Sequence, residues 1–196
     1  MMSRKSEVIR KSFILIGACL LVSAMVLLFV WQRGIRISEQ KANAYVNMIR
    51  ERIPEPQGAV PEERRDNTMP TLSLDGTDFV GILELPGYAS ALPVCADWGK
   101  PAKYPCRFTG SVYDCSMQIG ATSQKGQYDF YRDISVGDRV FFTDMEGNRF
   151  SYAVSDIRYV KNADQSALQR KDADLTLFVK NVYALEYIIF SCDVLQ

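Results

Sequence analysis

Apolar residues fall along this chain in three successive patterns, and each predicts a different kind of structure. Residues 13–31 (FILIGACLLVSAMVLLFVW) form an unbroken run of 19 residues without a charge. At 1.5 Å per helical residue, such a run just spans the hydrocarbon core of a bilayer. It is therefore expected to be a transmembrane helix. Arg4, Lys5, Arg10 and Lys11 precede it, and Arg33, Arg36 and Lys41 follow it. This slight excess favours a cytoplasmic tail at residues 1–12 and an extracytoplasmic body. A cleaved signal peptide fits less well, because the apolar core is long and Trp31-Gln32-Arg33-Gly34 offers no small-residue cleavage site.

Beyond the apolar run, Tyr45, Ile49 and Ile53 recur every four residues while Glu39, Lys41, Arg50 and Arg52 fill other faces. That period predicts a helix over residues 37–53, expected as a stalk. Residues 54–66 (PEPQGAVPEERRD) mix proline, glycine and charge with no apolar period, which marks a linker. The stalk and linker together take residues 32–67, and the folded domain takes 68–196. Glu62-Glu63-Arg64-Arg65 belongs to the solvated linker.

In the third stretch the period shortens. Residues 79–85, 139–143 and 150–160 are rich in β-branched and aromatic residues and are expected as strands. Residues 144–148 form a hairpin turn between the last two. Asp164 caps a short helix over residues 164–171, and residues 176–182 and 187–192 supply two final strands. The fold class that follows is mainly β: a closed or nearly closed barrel with one or two short helices, behind an N-terminal transmembrane helix and helical stalk.

Composition narrows the function. The 196 residues carry 23 basic and 23 acidic side chains, so no net field holds nucleic acid. There is no histidine, and no cysteine spacing is that of a zinc site, so neither a metal nor another cofactor is expected. Cys19 lies in the apolar run and is expected as a small apolar filler. Cys95, Cys106, Cys115 and Cys192 lie outside it, and their pairing, or their persistence as thiols, stays open.

Several segments in the third stretch resemble, in order, those of sortases, the membrane-anchored cysteine transpeptidases of Gram-positive cell surfaces. Residues 79–86 (FVGILELP) followed by Leu92-Pro93-Val94 look like the family's opening strand and its continuation. Pro105-Cys106-Arg107-Phe108 with Gly110-Ser111 resembles a segment of some clostridial, class B type sortases. Gly137-Asp138-Arg139-Val140 and Asp174-Leu175-Thr176-Leu177-Phe178 are similar to two further family strands. The resemblance implies a sortase-like barrel and a site built from three positions.

Those positions do not hold the expected residues. The family's Ile-Ala-Gly-His-Asn pattern falls on residues 119–123 (IGATS) and puts Thr122 where the histidine stands. Its TLFTC pattern falls on residues 176–180 (TLFVK) and puts Lys180 where the nucleophilic cysteine stands. The usual arginine falls on Tyr187. Threonine has no group that titrates near neutrality. A lysine with the ordinary pKa of about 10.4 is protonated and a poor nucleophile, and a tyrosine carries no charge for an oxyanion. No catalytic residue is therefore expected, and Thr122, Lys180 and Tyr187 are expected as a peptide-groove surface or as a solvated rim.

The resemblance implies a non-catalytic sortase-like protein in cell-surface protein or pilus anchoring. Its partners would be a sorting-signal-like peptide or another surface protein, such as an active sortase or a pilin. Two other readings stay open: a divergent active cysteine transpeptidase, and a structural or sensory ectodomain using the barrel as a scaffold. Strand alternation points Cys192 away from the Tyr187 face, and neither Cys95 nor Cys115 has a histidine to activate it. The aromatic cluster Tyr128, Phe130 and Tyr131 is expected as packing rather than as a docking surface.

Overall fold

The computed structural model describes residues 3–54, 67–88, 90–99, 104–123, 129–161, 173–181 and 186–195. A single helix, α1, covers Ser3–Arg50. By length and composition it is the one helix among the described residues able to cross a membrane, with a mean hydropathy of 2.9 over its most apolar stretch. The chain divides into two compact units, Met1–Ser38 and Glu39–Gln196. In the first, Phe13, Leu15, Leu27 and Val30 are exposed. Such a surface is stable only where something other than water covers it.

The sequence plan assigned residues 32–67 to stalk and linker, and the second unit begins within that range, at Glu39. The last three turns of α1 belong to the second unit. Ala42, Val46 and Ile49 recur at helical spacing and are buried against Phe79, Ile82 and Tyr104. The Tyr45 ring lies 5.3 Å from that of Phe79, and its hydroxyl donates to Asp75 at 2.9 Å. A stripe of this kind supplies a core-facing side, and a free stalk has nothing to bury it. The expected short helix at residues 164–171 lies outside the described residues.

Nine strands make up the sheet: β1 Leu72–Leu74, β2 Thr77–Leu85, β3 Ser90–Cys95, β4 Cys106–Thr109, β5 Met117–Thr122, β6 Arg139–Asp144, β7 Arg149–Lys161, β8 Leu175–Asn181 and β9 Glu186–Val194. Their order is β1-β2-β3-β4-β5-β8-β9-β7-β6, and β6 pairs back onto β2. Strands β2 to β9 thus form a closed eight-stranded barrel, with β1 added through a hairpin. The pairs β3–β4 and β5–β8 are parallel and the others antiparallel. Closure removes the exposed edges that an open sheet of this size would present.

Alternation sorts the side chains. Ile119, Ala121, Leu177, Val179, Ile188, Phe190 and Cys192 point into the barrel, joining Val80, Leu83, Phe142 and Tyr152 in one interior cluster. Tyr131 is buried in the same cluster, so it serves packing; Tyr128 lies outside the described residues. The β6–β7 turn at 144–148 is fixed by the buried Asp144. Its carboxylate accepts from the backbone N–H groups of Glu146 and Asn148, each at 2.9 Å, and from the Asn148 amide and the Tyr113 hydroxyl, each at 2.8 Å. Four donors satisfy a charge that would otherwise be costly to bury.

Candidate functional site

The outer faces of β5, β8 and β9 carry the residues singled out by sequence. The parallel register pairs Thr122 with Lys180, and the antiparallel register pairs Lys180 with Tyr187. Directly opposed residues on paired strands share a face. Thr122, Lys180 and Tyr187 therefore form one row across three strands, at the ends of β5 and β8 and the start of β9. The Ser123 N–H donates to the Lys180 carbonyl at 3.0 Å and carries the parallel pairing one step further. Lys180 is exposed, Thr122 and Tyr187 are half-buried, and the Lys180 ammonium stands 6.0 Å from the Tyr187 ring centroid.

The next row inward is apolar: Gly120, Phe178 and Ile189. Two side chains from other elements cover it, Phe108 on β4 and Trp98 after β3. The Trp98 ring lies 5.2 Å from Phe108 and 5.3 Å from Phe178, and Phe108 meets Phe178 edge-on at 5.5 Å. Phe178 also reaches Tyr187, at 6.2 Å. Gly120 makes this stack possible. A Cβ there would lie 2.3 Å from both Phe178 Cζ and Trp98 Cζ3, too close for any real contact. The third row, Gln118, Thr176 and Ser191, is polar and buried.

Thr122 brings an unmet bonding group to the row. Its Oγ1 is buried and has no hydrogen-bond partner, an arrangement that costs free energy until a donor or acceptor arrives. Lys180 supplies a cation beside it and Tyr187 a ring face. The row can thus hold polar and aromatic groups, but it contains no thiol and no imidazole. Arg158 lies on the same outer face of β7, opposite Ile189. Its Nε is 3.1 Å from Asp156 Oδ2 yet is unsatisfied as a hydrogen-bond donor, because the carboxylate sits off the N–H direction.

The cysteines stand elsewhere. Cys192 is fully buried inside the barrel, and burial pushes its thiol up to about 12. Cys115 is exposed before β5, and its thiol is also raised, first by desolvation and then by Asp174 and Asp114. A thiol held protonated is a weak nucleophile. Cys95 and Cys106 face each other across the β3–β4 bridge, buried beneath α1. Among the described residues no group of three or more cysteines and carboxylates could hold a metal ion.

No protein-family profile matches this chain, and no curated protein matches its sequence. Solved structures do. Sortase C1 from Streptococcus agalactiae shares 19% identity with a TM-score of 0.53, over 70% of this chain and 78% of that one. A Clostridium perfringens sortase D5 transpeptidase shares 12% with a TM-score of 0.52, over 69% and 87%. Sortase A from Corynebacterium diphtheriae shares 13% with a TM-score of 0.52, over 83% and 84%.

The barrel has the sortase fold. On this sortase-fold wall, the resemblance singled out Thr122, Lys180 and Tyr187, which the strand register sets in one row, and assigned no role to Trp98, Phe108 or Arg158. Trp98 and Phe108 come from segments with no strand or helix period of their own, so nothing local says which strands they cover. The signal that was present is Gly120, a glycine inside a strand, which often marks the close approach of another group.

Proposed function

We propose that this chain is a membrane-anchored, extracytoplasmic protein of sortase fold that performs no transpeptidation and instead binds a peptide or another cell-surface protein. The observation that carries this reading is the shared row of Thr122, Lys180 and Tyr187. Sortase chemistry needs a thiolate, a proton-transferring imidazole and a guanidinium converging on one carbonyl. The three positions that resemble those of the family converge, and none holds the required group. Their adjacency supports the register on which the loss of catalysis was argued.

Two further features favour binding. The Thr122 Oγ1 lacks a partner that a peptide amide would provide, and the half-buried Trp98 and Tyr187 rings, packed on Phe178, offer apolar surface beside it. A sorting-signal-like peptide fits this combination, as does an exposed segment of an active sortase or a pilin. The apolar part of α1 would hold the protein at the membrane, with residues 1–12 inside the cell and the barrel outside.

The test uses the whole protein in detergent, a sorting-signal peptide and an amine acceptor. The expected result is saturable peptide binding that shifts resonances at Thr122 and Lys180, with no cleavage and no covalent adduct. Turnover abolished by a thiol blocker would overturn the reading in favour of a divergent enzyme. Absence of any peptide response would leave the barrel a scaffold.

A further inference from the structure

We propose that the recess between the last turn of α1 and the outer face of β2 is a binding site for a small oxyanion, a carboxylate or a phosphate. Two adjoining hollows of about 370 and 620 Å³ meet there, and both are lined by Arg50, Glu84 and Arg149. Their size is that of ordinary small-molecule sites.

The charge arrangement says what would enter. Arg50 on α1 contacts Glu84 Oε1 at 2.6 Å, and Arg149 at the start of β7 contacts Glu84 Oε2 at 3.1 Å. One carboxylate thus serves two guanidiniums, one oxygen each. Among the described residues these are the only charged side chains lining either hollow, and two guanidiniums against one carboxylate leave them an excess positive charge. Each guanidinium has five N–H donors, and each contacts Glu84 through a single nitrogen, with the two side chains 51% and 44% exposed. The remaining donors are the planar fork that oxyanions accept in pairs.

Arg149 is also held in place. Its guanidinium lies 4.3 Å from the Phe141 ring centroid on β6, which limits the freedom it would lose on binding. Asn43 and Asn47, one helical turn apart on α1, add exposed amide groups to the larger hollow. A clamp joining helix to barrel needs only the Arg50–Glu84 pair. The second guanidinium has no such task.

The site can be titrated on the full chain in maltoside micelles, which carry no phosphate, using inorganic phosphate and succinate as separate probes. Saturable binding of at least one probe is expected, and the preferred probe tells phosphate from carboxylate. Arg149→Gln keeps the Arg50–Glu84 pair and should weaken binding at least ten-fold without lowering Tm. Glu84→Gln removes the competing carboxylate and should tighten binding several-fold, an outcome that a purely structural ion cluster would not give. Failure of both probes to saturate would overturn the proposal. So would equal affinity in Arg149→Gln, or an equal loss in Arg139→Gln, which alters a charge outside the recess.

Discussion

Strands β2 and β8 stand at opposite walls of the barrel, four steps apart in either direction around the strand order, and their outer faces are finished in different ways. On β2 the outward Phe79 and Ile82 are covered by the last turns of α1, with Cys95, Cys106 and Tyr104 completing the layer. On β8 the outward Phe178 is covered by single side chains, Trp98 and Phe108, with Ile189 and Tyr187 beside it. A helix seals a wall along its length, whereas a few rings seal one row and leave the next, Thr122, Lys180 and Tyr187, facing outward. In that row Lys180 is exposed and Thr122 and Tyr187 are half-buried.

The strongest way to break this contrast is to unseal the β2 wall. Ile49 is fully buried, and Ile49→Ala removes methylenes from the apolar side that α1 contributes to this layer. A loss of about 2–5 kcal/mol is expected, read from the denaturant midpoint of the whole protein. The same change should leave peptide binding at Lys180 intact wherever the protein remains folded. Were the helix a free stalk, the midpoint would not move.

The interior common to both walls sets a pH limit. The buried Cys192 thiol has its pKa raised from 9.0 to about 12 by desolvation, with Asp193 a smaller cause. A group whose pKa is raised on folding stabilises the fold fully below its unfolded value and loses that contribution as pH climbs to the folded value. Stability should therefore fall between about pH 9 and pH 12, by up to roughly 4 kcal/mol from this thiol alone. Tyr152, raised mainly by desolvation in the same interior, acts in the same direction. Cys192→Ala followed across that range should flatten the Cys192 share of the decline.

The two walls also differed in how far the sequence revealed them. Strand alternation in residues 187–192 gives the inward direction of Cys192 locally, whereas Thr122, Lys180 and Tyr187 were singled out by the family resemblance, and it is the pairing of β5, β8 and β9 that sets them in one row. The helix period of Tyr45, Ile49 and Ile53 was equally legible, but a period says only that a face is apolar. It does not say whether barrel or solvent lies against it, which is why residues 39–50 were expected in a stalk. Trp98, Phe108 and Arg149 act through contacts with strands distant in sequence. Such pairings depend on barrel closure, and no local pattern encodes them.

A smaller effect tests how the β8 wall is sealed. In Gly120→Ala the new methyl would meet Phe178 and Trp98 at 2.3 Å, so one ring must move. Overpacking of this kind costs about 1–3 kcal/mol. The chain has two tryptophans, and with Trp31 replaced by phenylalanine the emission of Trp98 reports the displacement. An unshifted spectrum and an unchanged midpoint would mean that Trp98 does not rest on β5, and the aromatic seal would lose its keystone.

The smallest change is also the most discriminating for the open row. Thr122→Val keeps the shape of the side chain and removes a buried hydroxyl that has no partner. Leaving such a group unbonded costs free energy, so the variant should be as stable as the parent or more stable by up to about 1 kcal/mol. If the hydroxyl awaits a ligand, peptide binding should weaken as stability rises. A variant that gains stability and keeps its peptide affinity would show that the hydroxyl takes no part in recognition. Lys180→Ala then separates the remaining roles: on an exposed strand end it should shift stability by no more than about 0.5 kcal/mol, so any larger loss in peptide affinity is a property of the row itself.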